Sequence, residues 1–428
     1  MKNLESNMLH VKNNSNRVSN IQFLLIVCFY SFFFLFADLG RGLTVCALVV
    51  FIVFAIFFVL KSHVLKEPEV KTYRVGLFLV VATILLNIRS IDYFQSNIFY
   101  LYGMFLVVYA LLFIKPNVAA KKVALNILLF VAGISAFIVF LSRLFPAFYV
   151  RYIASHFAIE AYNGIILLLR EGYSGALGGN ISLTANYIAL GIAICFGRFL
   201  QTKKKKHAVV MVVLFIALLL VNRRSELLAA VAAWICMLFL MGSKRLKINI
   251  LFGCVIAFIG LLIVVLFVRQ GIWHYQGSNR LIASVYGLLQ GQDITNGRSE
   301  LYALAWSLFC EHPLFGIGWG QYRFYAQAIL PQITNVHNIY LQLLCETGIV
   351  GGFILLSALF YLLKELYKKN KIAIKNGTME YTVFSLFSWL YIMILGIFDN
   401  PIFQDQFWLL LGVILFCAVN EKSKRKTV

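Results

Sequence analysis

Charge is scarce in this chain of 428 residues: Asp, Glu, Lys and Arg make up 13% of it, against about 25% in an ordinary globular protein. Acid is scarcer still, with 17 Asp and Glu facing 38 Lys and Arg, a formal net charge of +21. Proline occurs only 6 times, so long stretches run without a helix breaker. The 8 cysteines form no framework: Cys28, Cys46, Cys195, Cys236, Cys254, Cys345 and Cys417 fall in apolar runs and only Cys310 in a polar segment, which excludes a disulfide-stapled secreted domain. His156, His274, His312 and His337 are scattered, and there is no Cys-x-x-Cys or His-x-x-x-His pair to suggest a metal site. A Walker loop is missing too, and Gly316-Ile-Gly-Trp-Gly320 has neither the strand context nor the spacing of a dinucleotide fingerprint. No metal and no cofactor is expected.

What the chain does have is apolar surface. Hydrophobic residues make up 61%, with 39 phenylalanines, more than a water-soluble core absorbs. A bilayer about 30 Å thick accepts it in helices of roughly 20 residues. Twelve stretches read as spans: Ile21–Ala37, Leu43–Leu60, Val75–Ile88, Ile98–Ile114, Val123–Leu141, Ile181–Leu200, Ala208–Val221, Glu226–Met241, Ile248–Val268, Ile339–Leu363, Val383–Phe398 and Phe407–Val419. Lipid offers no partner to an open backbone, so the spans are helical. The expectation is an all-α polytopic protein, one membrane domain over 1–428, with the third, seventh and eighth spans the shortest. No small-residue cleavage site follows the first apolar run, which reads as a retained helix.

A basic excess raises nucleic acid as a partner, but in a multi-span chain it reports orientation first, because cytoplasmic loops collect Lys and Arg. With both termini cytoplasmic, the inner segments hold 27 of the 38 basic residues, including all 22 lysines. The 11 outside are Arg41, Arg89, Arg143, Arg151, Arg170, Arg223, Arg224, Arg269, Arg280, Arg298 and Arg323. Every one is arginine. A guanidinium offers a permanently charged planar fork that fits phosphate or carboxylate bidentately. The plainer alternative is that each merely snorkels to lipid headgroups.

Two outer segments are long, Ser142–Asn180 and Arg269–Asn338. In the second, Gly291-Gln-Asp-Ile-Thr-Asn-Gly297 reads as a turn before a helix that Pro313 ends. Leu301, Leu304, Ala305 and Leu308 recur at helical spacing, giving a face to rest on the membrane surface or on the helix bundle. Gly316, Gly318 and Gly320 permit a tight turn or the close approach of a ligand. His337 stands at the mouth of the tenth span, with Gly348 further along as a place for helix packing. A lone histidine there is a hydrogen-bonded structural group or a catalyst. Between spans seven and eight, the hairpin Val221-Asn-Arg-Arg-Ser-Glu226 puts Arg223 and Arg224 near the outer hydrocarbon boundary. Two cations at that depth are costly unless they face a wet cavity or an anion such as a lipid-linked phosphate.

The runs Gly297-Arg-Ser-Glu-Leu-Tyr-Ala-Leu-Ala-Trp306, His312-Pro-Leu-Phe-Gly-Ile-Gly-Trp-Gly320, His337-Asn-Ile-Tyr-Leu-Gln342 and Glu346-Thr-Gly-Ile-Val-Gly351 resemble the O-antigen ligase and O-antigen polymerase superfamily. Arg224-Ser-Glu-Leu-Leu228 opening a span, and Gly178-Gly-Asn-Ile-Ser-Leu-Thr-Ala-Asn186 entering the sixth, fit the same pattern. The resemblance covers Gly178 to Gly352. It implies an inverting, metal-independent membrane glycosyltransferase that moves a glycan from undecaprenyl pyrophosphate to an acceptor hydroxyl, outside the bacterial plasma (inner) membrane. By position in the motif, Arg224 and Arg298 would stabilise the pyrophosphate, with Arg223 and Arg280 as helpers. His337 would activate the acceptor hydroxyl, and Asn338, Gly316 and Gly318 would contribute to substrate binding. The segment after Arg298 would act as a lid within the outer loop 269–338.

The implied partners are the lipid-linked oligosaccharide, the bilayer, a repeat-unit flippase and a chain-length regulator of capsule or exopolysaccharide, with no nucleic acid. A polymerase passes the growing chain to another lipid-linked repeat unit, and a ligase passes it to a lipid A core. The Lys-, Asn- and Phe-rich composition would suit an AT-rich Gram-positive genome, where no lipid A core exists, and this favours the polymerase. From another class, a lipid-linked oligosaccharide transporter would share the span count. It would also show internal repeats and mid-span ionisable groups; here the halves show no repeat and few ionisable residues lie mid-span.

Overall fold

The computed structural model describes residues 118–176, 180–242, 280–291, 298–329, 335–376 and 379–401, with a few short stretches and single positions elsewhere. The expected spans at 21–37, 43–60, 75–88, 98–114 and 407–419, most of 248–268, and both tails lie outside the described residues. Everything regular among the described residues is helical. Four of these helices are long and apolar enough to cross a membrane.

Helix α1 (Val118–Leu144) begins just past Pro116, and Pro146 opens α2 (Pro146–Tyr152) directly after it. The chain then passes through a single 3-10 turn at Ala154–His156 into α3 (Ile159–Arg170). Helix α4 (Ile181–Thr202) is the axis of the bundle. Asn180 caps it, its Oδ1 accepting from the Leu183 amide at 3.0 Å, and left-handed Lys203 ends it. It packs against α1, α5 (Lys205–Val221), α6 (Arg224–Met241) and α11 (Met379–Leu395). Gly191 lets α4 approach Ala132 of α1. Phe196, Trp234, Phe387 and Tyr391 make a run of ring contacts through α4, α6 and α11.

Polar contacts pin the helix ends at two levels. At one, Arg198 bonds Glu380 at 2.6 Å and Asn126 at 2.7 Å, and Gln201 accepts from the Glu380 amide at 3.1 Å. Lys121, Lys122 and Lys203 to Lys206 lie at this end. At the other, Arg143 donates to the carbonyls of Leu220 and Gly172, and Asn222 donates to Gly172 at 2.7 Å. Tyr149 both donates to and accepts from the Ala176 backbone, folding α2 and α3 back onto the bundle. Arg143, Arg151, Arg170, Arg223 and Arg224 occupy this second end, and no described lysine does. The sorting of lysine from arginine read along the chain is thus a sorting between the two ends of the bundle.

The described part of segment 269–338 adds α7 (Arg280–Leu289), α8 (Arg298–Glu311) and α9 (Tyr322–Ile329). Leu301, Ala305 and Leu308 of α8 are buried with Ile317, Tyr322, Ala326, Val336 and Cys345 in a small second core. The apolar stripe of α8 therefore faces protein. The turn expected at 292–297 lies outside the described residues.

Helix α10 (Ile339–Asn376) differs from expectation. It is broken at Gly348, whose φ of 65° and ψ of −171° are non-helical. The reason is the 313–318 loop. The amides of Ile317 and Gly318 bond the carbonyls of Cys345 and Glu346 at 3.0 and 2.9 Å, and the amides of Ile349 and Val350 bond Pro313 and Leu314 at 2.8 and 3.2 Å. A distant loop supplies the partners that the interrupted helix loses. Gly348 provides a break against another backbone, where the sequence suggested helix packing.

Candidate functional site

Three pieces of chain meet at the arginine end: the α5–α6 hairpin, the entry to α10, and the turn 396–400 that follows α11. Val221 ends α5, Asn222 takes the left-handed cap at φ 65°, and Arg223 is the extended N-cap residue of α6. Arg223 points inward. Its Nε bonds both oxygens of Glu226 at 3.1 and 3.3 Å, its guanidinium reaches Ser182 of α4, and it stands 5.9 Å from the centre of the Tyr173 ring. Burial is the largest single influence and works against the Arg223 charge, but the charge and hydrogen bond of the wholly buried Glu226, together with Tyr173 and Asp399, outweigh it, so the group stays protonated more firmly than usual. Arg224 turns the other way and bonds Ser284 on α7. Arg280 is the first residue of α7, one turn before that serine.

The entry to α10 is built around His337, a non-glycine residue in the left-handed region at φ 58°. Asn338 follows as a cap, its Oδ1 accepting from the amides of Tyr340 and Leu341, both at 3.0 Å. That oxygen is therefore taken up by the helix. The Ile339 amide bonds the Gly396 carbonyl at 2.8 Å and the Tyr340 hydroxyl bonds Met393 O at 2.7 Å, fixing α10 to the end of α11.

His337 and Arg298 both reach the turn beyond α11. His337 Nδ1 lies 3.4 Å from Asp399 Oδ1, and Arg298 donates to the Phe398 carbonyl at 2.9 Å. Tyr302, one turn along α8 from Arg298, donates to the carbonyl of His337 at 3.4 Å. Burial pushes the Asp399 carboxyl up, but the His337 hydrogen bond, the Asn400 amide at 2.8 Å and the charges of His337 and Arg223 hold it below the usual carboxylate range. The arrangement is an imidazole backed by an anion, with the Arg298 guanidinium bonded to the same turn and the Arg223 charge acting on the carboxylate. Such a pair can orient the ring through Nδ1, leaving Nε2 to face a ligand.

Arg298 and His337 thus share one turn, Arg223 is near enough for its charge to act on Asp399, and Arg224, on the same hairpin, points to α7. Gly316 and Gly318 lie elsewhere, buried against the α10 break at φ 63° and 107°. A Cβ on Gly316 would come within 2.4 Å of the Glu346 backbone, so this glycine serves the approach of two chain segments.

Asp399, Glu226 and Tyr302 were not singled out from the sequence. The signal for Asp399 was slight: an acid in Asp399-Asn-Pro401, just past a span, on the end where the basic residues are all arginine.

Residues 209–356 match a protein family described as O-antigen ligase. No curated protein gives a match to the chain. The matched stretch runs from α5 to just beyond the Gly348 break in α10 and holds Arg223, Arg224, Arg280, Arg298 and His337; over these residues the chain is similar to the O-antigen ligase family, a similarity that supports the O-antigen ligase and O-antigen polymerase superfamily and agrees with its membrane-spanning helices.

Proposed function

We propose that the protein transfers a glycan from undecaprenyl pyrophosphate to a sugar hydroxyl at the outer face of the bacterial plasma membrane, as a polymerase of surface polysaccharide repeat units. The observation that carries this reading is His337 against Asp399 with Arg298 on the neighbouring carbonyl. His337 Nε2 takes the proton of the acceptor hydroxyl as its oxygen attacks the anomeric carbon. The new C–O bond forms as the bond to the pyrophosphate oxygen breaks on the opposite face, which inverts the centre and releases undecaprenyl pyrophosphate. Asp399 stabilises the imidazolium that results.

No nucleotide sugar is available outside the cell, so the donor brings its own leaving group. Arg298 and Arg224 carry the charge that develops on the pyrophosphate, the role a metal fills elsewhere. Arg298 is engaged by a neutral carbonyl, a partner readily exchanged for phosphate. Arg223, locked to Glu226, serves by placing Arg224 and supporting Asp399. Arg280 lies at the start of the helix that Arg224 contacts. Gly316 and Gly318 act through the shape of their loop, and Asn338 through the cap that sets His337.

The test is reconstitution of the purified protein in liposomes with lipid-linked repeat units. A ladder of products supports polymerisation. Transfer only to an added lipid A core favours the ligase of the same superfamily. No transfer, together with measurable flipping of the lipid-linked sugar, overturns the reading in favour of transport.

A further inference from the structure

Gln342 lies on the first segment of α10 and is almost fully buried, at 1% exposure. Its Oε1 accepts two hydrogen bonds, from the Val336 amide at 3.1 Å and from Asn400 Nδ2 at 2.6 Å. Val336 precedes His337 and Asn400 follows Asp399. One oxygen therefore ties together the two chain segments that carry the pair.

The orientation of the Gln342 amide is dictated by its surroundings. A backbone N–H can only donate, so the atom facing Val336 is the oxygen. On the other side, Gln342 Nε2 donates to Glu346 Oε1 at 3.1 Å. Glu346 is wholly buried and also accepts from the amides of Gly320 at 2.7 Å and Tyr322 at 3.3 Å. A polar chain thus runs from the 320–322 segment through Glu346, Gln342 and Asn400 to Asp399, whose Oδ1 takes the Asn400 amide at 2.8 Å.

We propose that Gln342 is a positioning residue for the transfer reaction: by bonding Val336 and Asn400 with one oxygen it sets the separation of His337 and Asp399. This rests on the reading of His337 as proton acceptor. The pair stands at 3.4 Å, close to the limit beyond which such a contact ceases to be a hydrogen bond. A shift of a few tenths of an ångström in either segment breaks it. Glu346 takes part through Gln342, by fixing which end of the amide faces the site.

The experiment uses the full-length protein in proteoliposomes with lipid-linked repeat units as donor and acceptor. Gln342→Met, similar in volume but without the bridge, is expected to lower kcat about 10-fold while KM for the lipid-linked substrate stays within about 2-fold. Combined with Asp399→Asn it should cost nothing beyond Asp399→Asn alone, because it acts through that carboxylate. The exchange Gln342→Glu with Glu346→Gln, which keeps an acceptor at 342 and returns a donor to their contact, should recover most of the activity that Gln342→Glu loses. Hydrogen exchange at 396–401, read without substrate, should rise in Gln342→Met. Additive losses with Asp399→Asn, no recovery in the exchanged pair, or unchanged exchange at 396–401 overturns the proposal. If Gln342→Met does not accumulate, the exchanged pair decides. If wild-type protein makes no product, the transfer reading fails, and the hydrogen-exchange result still judges whether Gln342 holds the turn.

Discussion

His337 and Asp399 are 62 residues apart in the chain and 3.4 Å apart in the fold. Their meeting depends on the α10 entry, held to Gly396 by the Ile339 amide, and on a turn after α11. Asp399→Asn keeps the shape of this turn and removes the anion behind the imidazole. It is expected to lower kcat about 100-fold, with the KM of the lipid-linked donor little changed, since the carboxylate acts on the proton transfer. Asp399→Ala should be at least as severe. Steady-state kinetics in proteoliposomes checks both.

The same carboxylate gives a pH signature in stability. Its folded-state pKa lies below the ordinary value, and an unfolded-state Asp titrates at about 3.9. A group depressed on folding contributes stability above its unfolded pKa and loses it as pH falls through the folded value. Wild-type protein in detergent should therefore melt higher than Asp399→Asn by a constant margin down to about pH 5, with the margin shrinking below about pH 4. Melting curves from pH 3 to 7 decide this. A margin that does not change across that range would show that the Asp399 charge does not support the fold.

Arginine at the second end of the bundle offers a fork that lysine cannot copy. Arg298→Lys and Arg224→Lys should each lose about 10-fold in kcat/KM, and the alanine variants about 100-fold. Arg151 is exposed on α2 and lies against Tyr152, so Arg151→Lys should remain near wild type. Equal tolerance at all three positions would mean that the arginines at this end only meet headgroups.

Much of this could be read from sequence because the causes are local. Lysine and arginine alternate between loops along the chain, and the structure separates Lys203 to Lys206 from Arg223 and Arg224 by the length of α5. The α5–α6 hairpin followed from one short polar run. The stripe Leu301, Ala305, Leu308 was equally visible, although its spacing left open whether lipid or protein covers it, and protein does. Asp399 has no local signal, because a single acid in a short turn gains its role only from His337, 62 residues away in the chain. Glu226 was hidden for a similar reason: a helix-entry acid reads as a first-turn charge, whereas here it is wholly buried under Arg223. The break in α10 was least legible. The glycines of Glu346-Thr-Gly-Ile-Val-Gly-Gly352 permit close helix packing as readily as a break, and the carbonyls and amides that decide for the break come from a loop about 30 positions earlier.

That break gives the sharpest stability prediction. Gly348 has φ 65° and a Cβ there would lie 2.3 Å from the Leu314 carbonyl, while one on Gly316, at φ 63°, would lie 2.4 Å from the Glu346 backbone. In both cases the obstructing atoms are backbone, held by the hydrogen bonds that join the loop to the helix, so neither side can yield without losing them. Left-handed strain adds to the clash. Gly348→Ala and Gly316→Ala should each destabilise by at least about 2 kcal/mol and reduce the folded protein recovered from membranes. Gly133 of α1 has open space around its would-be Cβ, so Gly133→Ala should be neutral or stabilising by up to about 1 kcal/mol. Melting temperature and monodispersity in detergent separate these outcomes. A helix free to straighten through position 348 would tolerate alanine there as readily as at 133, so equal behaviour of the two variants would show that the loop does not hold the break open.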